Sequence, residues 1–333
     1  MTELAEFVAG TAAEVDAGTA DTRAALARLG AEGLLGGPAD ADSGAALSAP
    51  VALVREVSAA SLATGFSLWS QTMVLEYLRC CPTPTGSALA VPLAAGTAAG
   101  ATALAPALTD LAGGTPVPVE AHRDGAGWRL SGTVPWASNL FDDAVVVTPA
   151  RTLDGGRIVA VFRTSAAEVL PAGPLLALNG TGTGAVRLDD VLADAVLSED
   201  LAAFVGTCLP AMLLTQTALA AGVADAALAS AAAVLTGPNA ALEPDAEELA
   251  ARQEDVGDRL TALAAAPGDA RRAQLARLRL DAVALAGDAV RLEAAVRLGG
   301  GFRADSPTAR RVREAAFLPV QAPTVGQLRA SGR

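Results

Sequence analysis

Residues 127–140 read GWRLSGTVPWASNL, and this stretch decides the class of fold. Together with the preceding PVEAHRDGA it predicts a β-hairpin whose turn runs from Asp124 to Gly127. Further short runs follow that are alternating or rich in β-formers, with Gly, Pro and Asp between them: DAVVVTPA, GRIVAVFRT and GAVRLDDV. We therefore expect a β-domain over residues 98–200.

Helical patterns flank this β-block on both sides. Before it, VALVREVSAASLATGFSLWSQTMVLEYL predicts a long helical region interrupted near Gly65. After it, three long helices are predicted, and the third, ARRAQLARLRLDAVALAGDAVRLEAAVRL, is expected to carry its Arg residues on a polar face. This order predicts an α+β multidomain fold. Its parts are an N-terminal helical domain at residues 1–97, a middle β-barrel-like domain at 98–200 and a C-terminal helical bundle at 201–333.

Composition limits the partners of this chain. It has 333 residues, is 52% hydrophobic and carries a formal net charge of −12. An acidic chain has little to neutralise phosphates, so nucleic acid and anionic membranes are not expected as partners. The charge-free stretches 80–109 and 202–224 contain prolines or polar residues, which favours buried core over membrane spans.

The N-terminal residues and the cysteines predict a cytoplasmic protein. The sequence MTELAEFVAG lacks a basic segment followed by a long apolar one, so it does not resemble a signal peptide. Cys80, Cys81 and Cys208 are an odd number without a framework spacing, which is typical of reduced thiols.

The scarcity of histidine excludes several chemistries. His122 is the only one, so a metal site with two His ligands is impossible, and no Cys-x-x-Cys pattern offers zinc ligands. No metal site is predicted. A Ser-His-Asp triad would need His122, which the hairpin pattern places on an exposed strand. The run NGTGTG at 179–184 neither follows a clear strand nor opens a helix, so it does not predict a dinucleotide site.

Four phrases in chain order resemble the acyl-CoA dehydrogenase superfamily. They are LARLGAEGLLG at 26–36, GWRLSGTVPWASNL at 127–140, LNGTGTGAVRLDDVLADAVL at 178–197 and LGGGFRADSPTARRVREA at 298–315. No single phrase is specific, but the resemblance spans nearly the whole chain. It implies the three-part fold of that superfamily and a flavin cofactor, FAD, with FMN as the alternative.

The resemblance places two residues of the central phrase against the flavin ring. Trp136 stands where the family has a Trp on the ring face, and Ser138 stands where it has a Thr near the N5 edge. An aromatic face and a hydroxyl are therefore both kept. The alternative is that Trp136 only fills the core of the β-domain.

Other cofactor contacts implied by the resemblance are more weakly preserved. The run from Leu104 to Pro106 falls where backbone groups meet the pyrimidine end of the flavin, although its side chains differ from the family's. Thr324 aligns with a Thr that helps hold the cofactor, but it also suits an ordinary N-cap or turn. Gly300 and Gly301 lie in a Gly-rich stretch that would let backbone approach a pyrophosphate, and equally suit a helix end.

The expected catalytic base is missing. By the resemblance, the family's catalytic Glu falls on Ala322, and the position used by some members falls on Met212. Neither side chain accepts a proton, so the catalytic residues are unknown. Glu314 is expected to form an ion pair with neighbouring Arg residues instead. The family's arg-x-x-phe-gly phrase, which holds the adenine half of FAD, is also absent.

Three functions remain open from the sequence. The first is a flavin-dependent oxidoreductase of this superfamily that acts on an acyl-CoA or a related CH–CH substrate. The second is an FMN-type two-component monooxygenase, which needs no base to remove an α-proton and fewer contacts to an adenine group. The third is a non-catalytic subunit or assembly partner. A small-molecule substrate is expected for the first two, and the resemblance implies a homodimer or homotetramer.

Overall fold

The computed structural model describes residues 3–36, 47–125 and 127–331. Within those residues, helices give way to strands between Ala94 and Gly100, and strands give way to helices between Ser198 and Leu201. The domain limits at 97/98 and 200/201 stay predictions. Residue 126 of the predicted hairpin turn lies outside the described residues.

The N-terminal part is helical, as the patterns predict, but its helical region breaks at a different place. The helices are α1 (Glu3–Ala17), α2 (Arg23–Ala31), α3 (Ser48–Ala60), α4 (Leu62–Cys80) and α5 (Pro84–Ala94). The interruption predicted near Gly65 lies at Ser61, whose extended backbone and side chain cap α4 by accepting from the Thr64 N–H at 3.3 Å. Gly65 lies inside α4, where an added Cβ would be 2.1 Å from the Ser58 Oγ, so it allows α3 and α4 to approach closely.

The middle part is one eight-stranded sheet. Its strands are β1 (Gly100–Thr102), β2 (Glu120–Asp124), β3 (Gly127–Ala137), β4 (Val145–Thr152), β5 (Arg157–Arg163), β6 (Glu168–Pro171), β7 (Gly184–Leu192) and β8 (Ala195–Ser198). The order is β6-β7-β3-β2-β4-β5-β8, and β1 pairs in parallel with β4. A short helix, α6 (Ala105–Leu111), follows β1; the sequence patterns did not predict it.

Both faces of the sheet are buried at its centre. On β4, Val145 and Val147 belong to the large core shared with the helices, whereas Val146 belongs to a second core with Phe162 of β5. Successive side chains of a strand point to opposite faces, so an apolar run such as that of β4 fits a strand covered on both sides.

The C-terminal part is a helical bundle, as predicted. Its helices are α7 (Leu201–Ala232), α8 (Glu243–Ala265), α9 (Arg272–Gly301), α10 (Pro307–Phe317) and α11 (Val325–Ser331). By length and composition α7 could cross a membrane, yet 72% of its most apolar 18-residue window is buried inside this fold. It packs closely on α3, because a Cβ added at Gly222 would lie 2.3 Å from the Arg55 carbonyl oxygen.

One prediction for α9 is wrong in part. The helical pattern assigned its Arg residues to a polar face, but Arg279 is only 1% exposed. This side chain points into the bundle, where the Leu318 carbonyl and the Gln321 amide oxygen accept from its Nη2 at 3.1 and 2.8 Å. The helical period of the sequence assigns an Arg to the surface, because the sequence does not show which polar groups a neighbouring segment will bring into contact with it.

Two buried acidic side chains tie α10 to its neighbours. Arg311 donates to Glu293 through Nε at 2.8 Å and also through Nη2, and the Thr308 hydroxyl donates to the same carboxylate at 2.8 Å. Glu314 accepts from the Leu62 N–H at 3.1 Å. Of the Arg residues expected to pair with Glu314, only Arg310 lies within ion-pair distance, at 3.7 Å, among the described contacts.

Candidate functional site

A cavity of about 640 Å³ lies where the end of β3 meets the helices of both helical parts. Three of the residues predicted to contact a cofactor line it: Leu104, Trp136 and Ser138. Both positions at which a catalytic base was expected, Met212 and Ala322, line it as well. The fold therefore brings together positions from the segment before α6, the end of β3, α7 and the segment after α10.

The other predicted cofactor residues do not line this cavity. Pro106 lies in the first turn of α6, half-buried, while Gly300 is exposed and Gly301 buried at the end of α9. Thr324 caps α11: its hydroxyl accepts from the Gln327 N–H at 3.2 Å, and its own N–H donates to the Gln327 side chain at 2.8 Å. This is the N-cap alternative considered for Thr324. That any of these residues contacts a cofactor stays a prediction.

Asn139 holds the end of β3 in place. Its backbone is left-handed, with φ 62°, and its N–H donates to the Thr181 carbonyl at 2.7 Å. Its side-chain amide donates to the carbonyls of Ser67 at 2.9 Å and Gly100 at 3.0 Å. One fully buried side chain thus connects the end of β3 to α4 and β1, which fixes where the neighbouring Ser138 stands.

A chain of three hydroxyls determines what Ser138 can offer to a ligand. The Thr181 hydroxyl donates to the Leu178 carbonyl at 2.7 Å, so its single proton is committed. The Thr183 hydroxyl, 2.7 Å away, must therefore donate to Thr181. Ser138, whose Oγ is 2.5 Å from the Thr183 Oγ1, must in turn donate to Thr183. What Ser138 has left for a ligand is lone pairs.

Aromatic side chains form another wall of the cavity. The rings of Phe66 and Trp69 are stacked with centroids 5.1 Å apart and planes 14° apart, and Phe317 meets Phe66 edge-on at 4.8 Å. All three line the cavity. Trp136 is 58% exposed, so it stands at the rim with a free face rather than inside the core of the sheet. Flat aromatic walls suit a planar ligand.

The charged side chains at and directly behind the cavity wall are cationic. Its lining, within the described ranges, contains no Asp, Glu or His, and its one charged side chain, Arg313, is paired with Asp16. Behind the lining residue Gln321 lies Arg279, whose Nε and Nη1 have no hydrogen-bond partner in the part of the chain that is described. Burial lowers the pKa of Arg279 to about 9, so it is still a cation at neutral pH.

Sequence reasoning missed several lining residues. Thr183 lies in the NGTGTG run, which was considered only as a dinucleotide site. Gln321 directly precedes Ala322, the position onto which the catalytic Glu of the family aligns. Nothing in a helical period distinguishes Phe66, Trp69 or Phe317 from ordinary core residues. His122, as expected, lies on β2 with a half-exposed side chain and takes no part in the cavity.

No family model and no curated protein sequence matches the chain. Solved structures do resemble it over nearly its full length. Butyryl-CoA dehydrogenase from Megasphaera elsdenii matches with a TM-score of 0.84 at 18% identity, covering 100% of this chain and 97% of that one. The chain therefore has the acyl-CoA dehydrogenase-like fold, with N-terminal helices, a central β-sheet domain and a C-terminal bundle, which confirms the predicted fold class.

Structures with other descriptions share this fold. The nitrososynthase from Micromonospora carbonacea var. africana matches with a TM-score of 0.80 at 22% identity, covering 98% of this chain and 92% of that one. KijD3, solved with FMN and dTDP-3-amino-2,3,6-trideoxy-4-keto-3-methyl-D-glucose, matches with a TM-score of 0.77 at 21% identity, covering 98% and 89%. The structural neighbours thus include an acyl-CoA dehydrogenase and an FMN-bound protein with a sugar-nucleotide ligand.

Proposed function

We propose that this chain is a flavin-dependent monooxygenase of the two-component type, which takes up reduced flavin and oxygenates a small substrate. The observation that carries the proposal is the absence of a proton acceptor where a dehydrogenase needs one. Ala322 and Met212 both line the cavity, and no carboxylate or imidazole lines it within the described residues. A positioned base contributes typically 10²–10⁴-fold to a reaction that removes a proton from carbon. Oxygenation by reduced flavin does not require that step.

The cavity suits a flat tricyclic ring beside a small substrate. Its volume of about 640 Å³ falls in the range usual for sites that bind cofactors and small molecules. Trp136 would offer a ring face at the rim, Ser138 a hydrogen-bond acceptor at the end of β3, and Leu104 an apolar contact from the segment before α6. A flavin bound there would supply the electron transfer and the reaction with oxygen.

The residues around the ring would bind and orient the substrate. The stacked pair Phe66 and Trp69, with Phe317, favours an apolar or aromatic substrate over a highly charged one. Arg313 is already paired with Asp16, so it offers a substrate little uncompensated charge. These apolar walls would offer water few polar partners beside the reacting atoms, and Asn139 would keep the end of β3 fixed while the substrate exchanges.

Oxidation of an acyl-CoA or a related CH–CH substrate is the second candidate. The likeness to butyryl-CoA dehydrogenase over nearly the whole of both chains favours it. It would need a proton acceptor from outside the described lining residues. For either candidate we propose a cytoplasmic homodimer or homotetramer; a non-catalytic subunit is the alternative that holds if no flavin binds.

Flavin titration tests the proposal directly. Oxidised and photoreduced FMN and FAD are added anaerobically to the purified protein and binding is followed by absorbance and fluorescence. Trp136→Ala should weaken binding about tenfold, because a ring contact is lost. Trp128→Ala is the matched control: Trp128 is on the same strand but faces Arg123, with the guanidinium 4.4 Å from its ring centroid, and should leave flavin affinity unchanged.

Reactivity then separates the two candidates. Butyryl-CoA is mixed anaerobically with the oxidised complex, and indole and phenol are mixed with the reduced complex under labelled oxygen. We expect no bleaching by butyryl-CoA and label in at least one aromatic product by mass spectrometry. Rapid bleaching by the thioester would replace the proposal with the dehydrogenase. Failure of both flavins to bind in either redox state would rule out both enzymes.

A further inference from the structure

Arg279 is a buried cation next to the cavity wall, and no Asp or Glu among the described residues pairs with it. Its side chain is 1% exposed, and its two hydrogen bonds go to neutral acceptors, the Leu318 carbonyl and the Gln321 amide oxygen. Burying a charge is costly unless it is paired, so a lone guanidinium in this place strongly favours a negative charge nearby. The residue between it and the cavity is Gln321, which lines the wall.

The hydroxyls of the cavity wall favour a ligand that carries hydrogen-bond donors. Ser138 has its proton committed to Thr183 and can only accept. Ser70 is in the same position: it donates to the Gly100 carbonyl at 2.9 Å and already accepts from the Thr102 N–H at 3.1 Å. Both line the cavity, so this part of the wall fits a ligand that brings N–H donors.

Reduction changes a flavin in these two respects. The oxidised ring takes up two electrons and one proton to give the anionic reduced ring, which therefore gains one negative charge and one N–H donor. A cation behind the wall stabilises the added charge, because the field of a buried charge is weakly screened. An acceptor at the wall pairs with the added donor.

We propose that Arg279 and Ser138 make this cavity selective for the reduced, anionic state of the flavin. The inference rests on the proposed function and goes further by assigning the redox selectivity to two residues. Ser138 acts by direct contact, whereas Arg279 is a positioning residue that acts through Gln321. The paired cation Arg313 contributes little to the selectivity, because Asp16 neutralises it.

The test compares dissociation constants for oxidised and photoreduced FMN, measured anaerobically. The wild type should bind the reduced form at least about tenfold more tightly. Arg279→Met should remove most of this preference by weakening the reduced complex alone, while Arg279→Lys, which keeps the charge, should retain it. Ser138→Ala should cut the preference by about fivefold.

A control on the same helix separates charge from packing. Arg297, on α9, donates to Ser230 at 2.8 and 3.1 Å and does not line the cavity, so Arg297→Met should leave the preference unchanged. The midpoint potential of the bound flavin gives an independent readout. The shift of this potential from that of free FMN is proportional to the logarithm of the ratio of the two dissociation constants, so Arg279→Met should lower the potential towards the free value.

The possible outcomes are distinct. Equal affinity of the wild type for both redox states would overturn this inference and leave the proposed function standing. Arg279→Met weakening both states by the same factor would show a purely structural role and overturn it too. If neither state of the flavin binds, the proposed function fails, and the inference fails with it.

Discussion

Met212 of α7 and Ala322 of the segment after α10 line the same cavity, although one comes from the first helix of the C-terminal bundle and the other from near its end. By the sequence resemblance, these are the two positions onto which the family's catalytic Glu aligns, and neither side chain here accepts a proton. Their meeting in space means that the absence of a base is a property of one site and not two unrelated gaps. It also means that a carboxylate can be restored to the cavity by a single substitution.

On the proposed function, Ala322→Glu should make the binding of reduced flavin depend on pH. Between about pH 5 and about pH 8 the ionised fraction of an introduced carboxyl rises, because its apolar lining raises its pKa while the nearby cation of Arg279 lowers it. The anion repels the anionic reduced ring, and affinity for reduced FMN should fall by about tenfold between these pH values. Ala322→Gln has the same size without the charge and should show no such fall. Parallel pH profiles for the two variants would contradict the placement of this position in the flavin site.

The buried ion pair between α9 and α10 should contribute strongly to stability. Replacing Arg311 by Met leaves the carboxylate of Glu293 buried without its main partner, which typically costs about 3–5 kcal/mol. Urea unfolding followed by circular dichroism measures the change. Arg303→Met is the control, because Arg303 pairs with Asp305 on the surface and its loss should barely move the unfolding midpoint. Equal shifts in the two variants would contradict the assignment.

Glu314 should make stability fall as pH rises. Burial raises its pKa above the ordinary value of 4.5, so the folded chain keeps this proton to a higher pH than the unfolded chain does. The stabilisation from proton retention is complete below the unfolded pKa and is lost as pH rises through the folded pKa. Glu314→Gln lacks this titration, so its melting temperature relative to wild type should increase between about pH 5 and about pH 8. A relative melting temperature that stays constant or decreases would contradict the direction of the shift.

The contact between α3 and α7 depends on the absence of a side chain at Gly222. A Cβ there would lie 2.3 Å from the Arg55 carbonyl oxygen, so Gly222→Ala forces the helices apart and should cost about 1–3 kcal/mol. Gly206 lies in the same helix, and no atom of the described residues would come within 4 Å of a Cβ added there. Gly206→Ala should therefore stabilise the protein by about 0.5–1 kcal/mol through helix propensity. Thermal and urea unfolding of both variants measure the change in unfolding free energy, which should be a decrease for Gly222→Ala and an increase for Gly206→Ala.

The order of helices and strands was predictable because the spacing of apolar residues along the sequence differs between a helix and a strand that are each packed against a core. The third C-terminal helix, predicted over residues 270–298, is α9 (Arg272–Gly301). The break at Ser61 was misplaced near Gly65 because a glycine inside a helix was interpreted as an interruption, whereas the glycine serves the packing of α3 on α4. The helix α6 is too short to show a period.

The candidate site was predictable only in part. The resemblance identified positions by order along the chain, and Leu104, Trp136, Ser138, Met212 and Ala322 do line one cavity. The contact between Arg279 and Gln321 was not predictable, since it depends on which side chains meet across two packed elements. With this hydrogen bond Arg279 is buried, whereas the helical period had assigned it to the surface.

The three hydroxyls of Thr181, Thr183 and Ser138 have a further consequence for proton movement. Their hydrogen bonds all run in one direction, inward to the Leu178 carbonyl, which has no proton to return. To deliver a proton to the cavity, this relay would have to reverse every link and leave that carbonyl without its partner. A molecule held against Ser138 therefore finds an acceptor on this side of the cavity but no ready source of a proton.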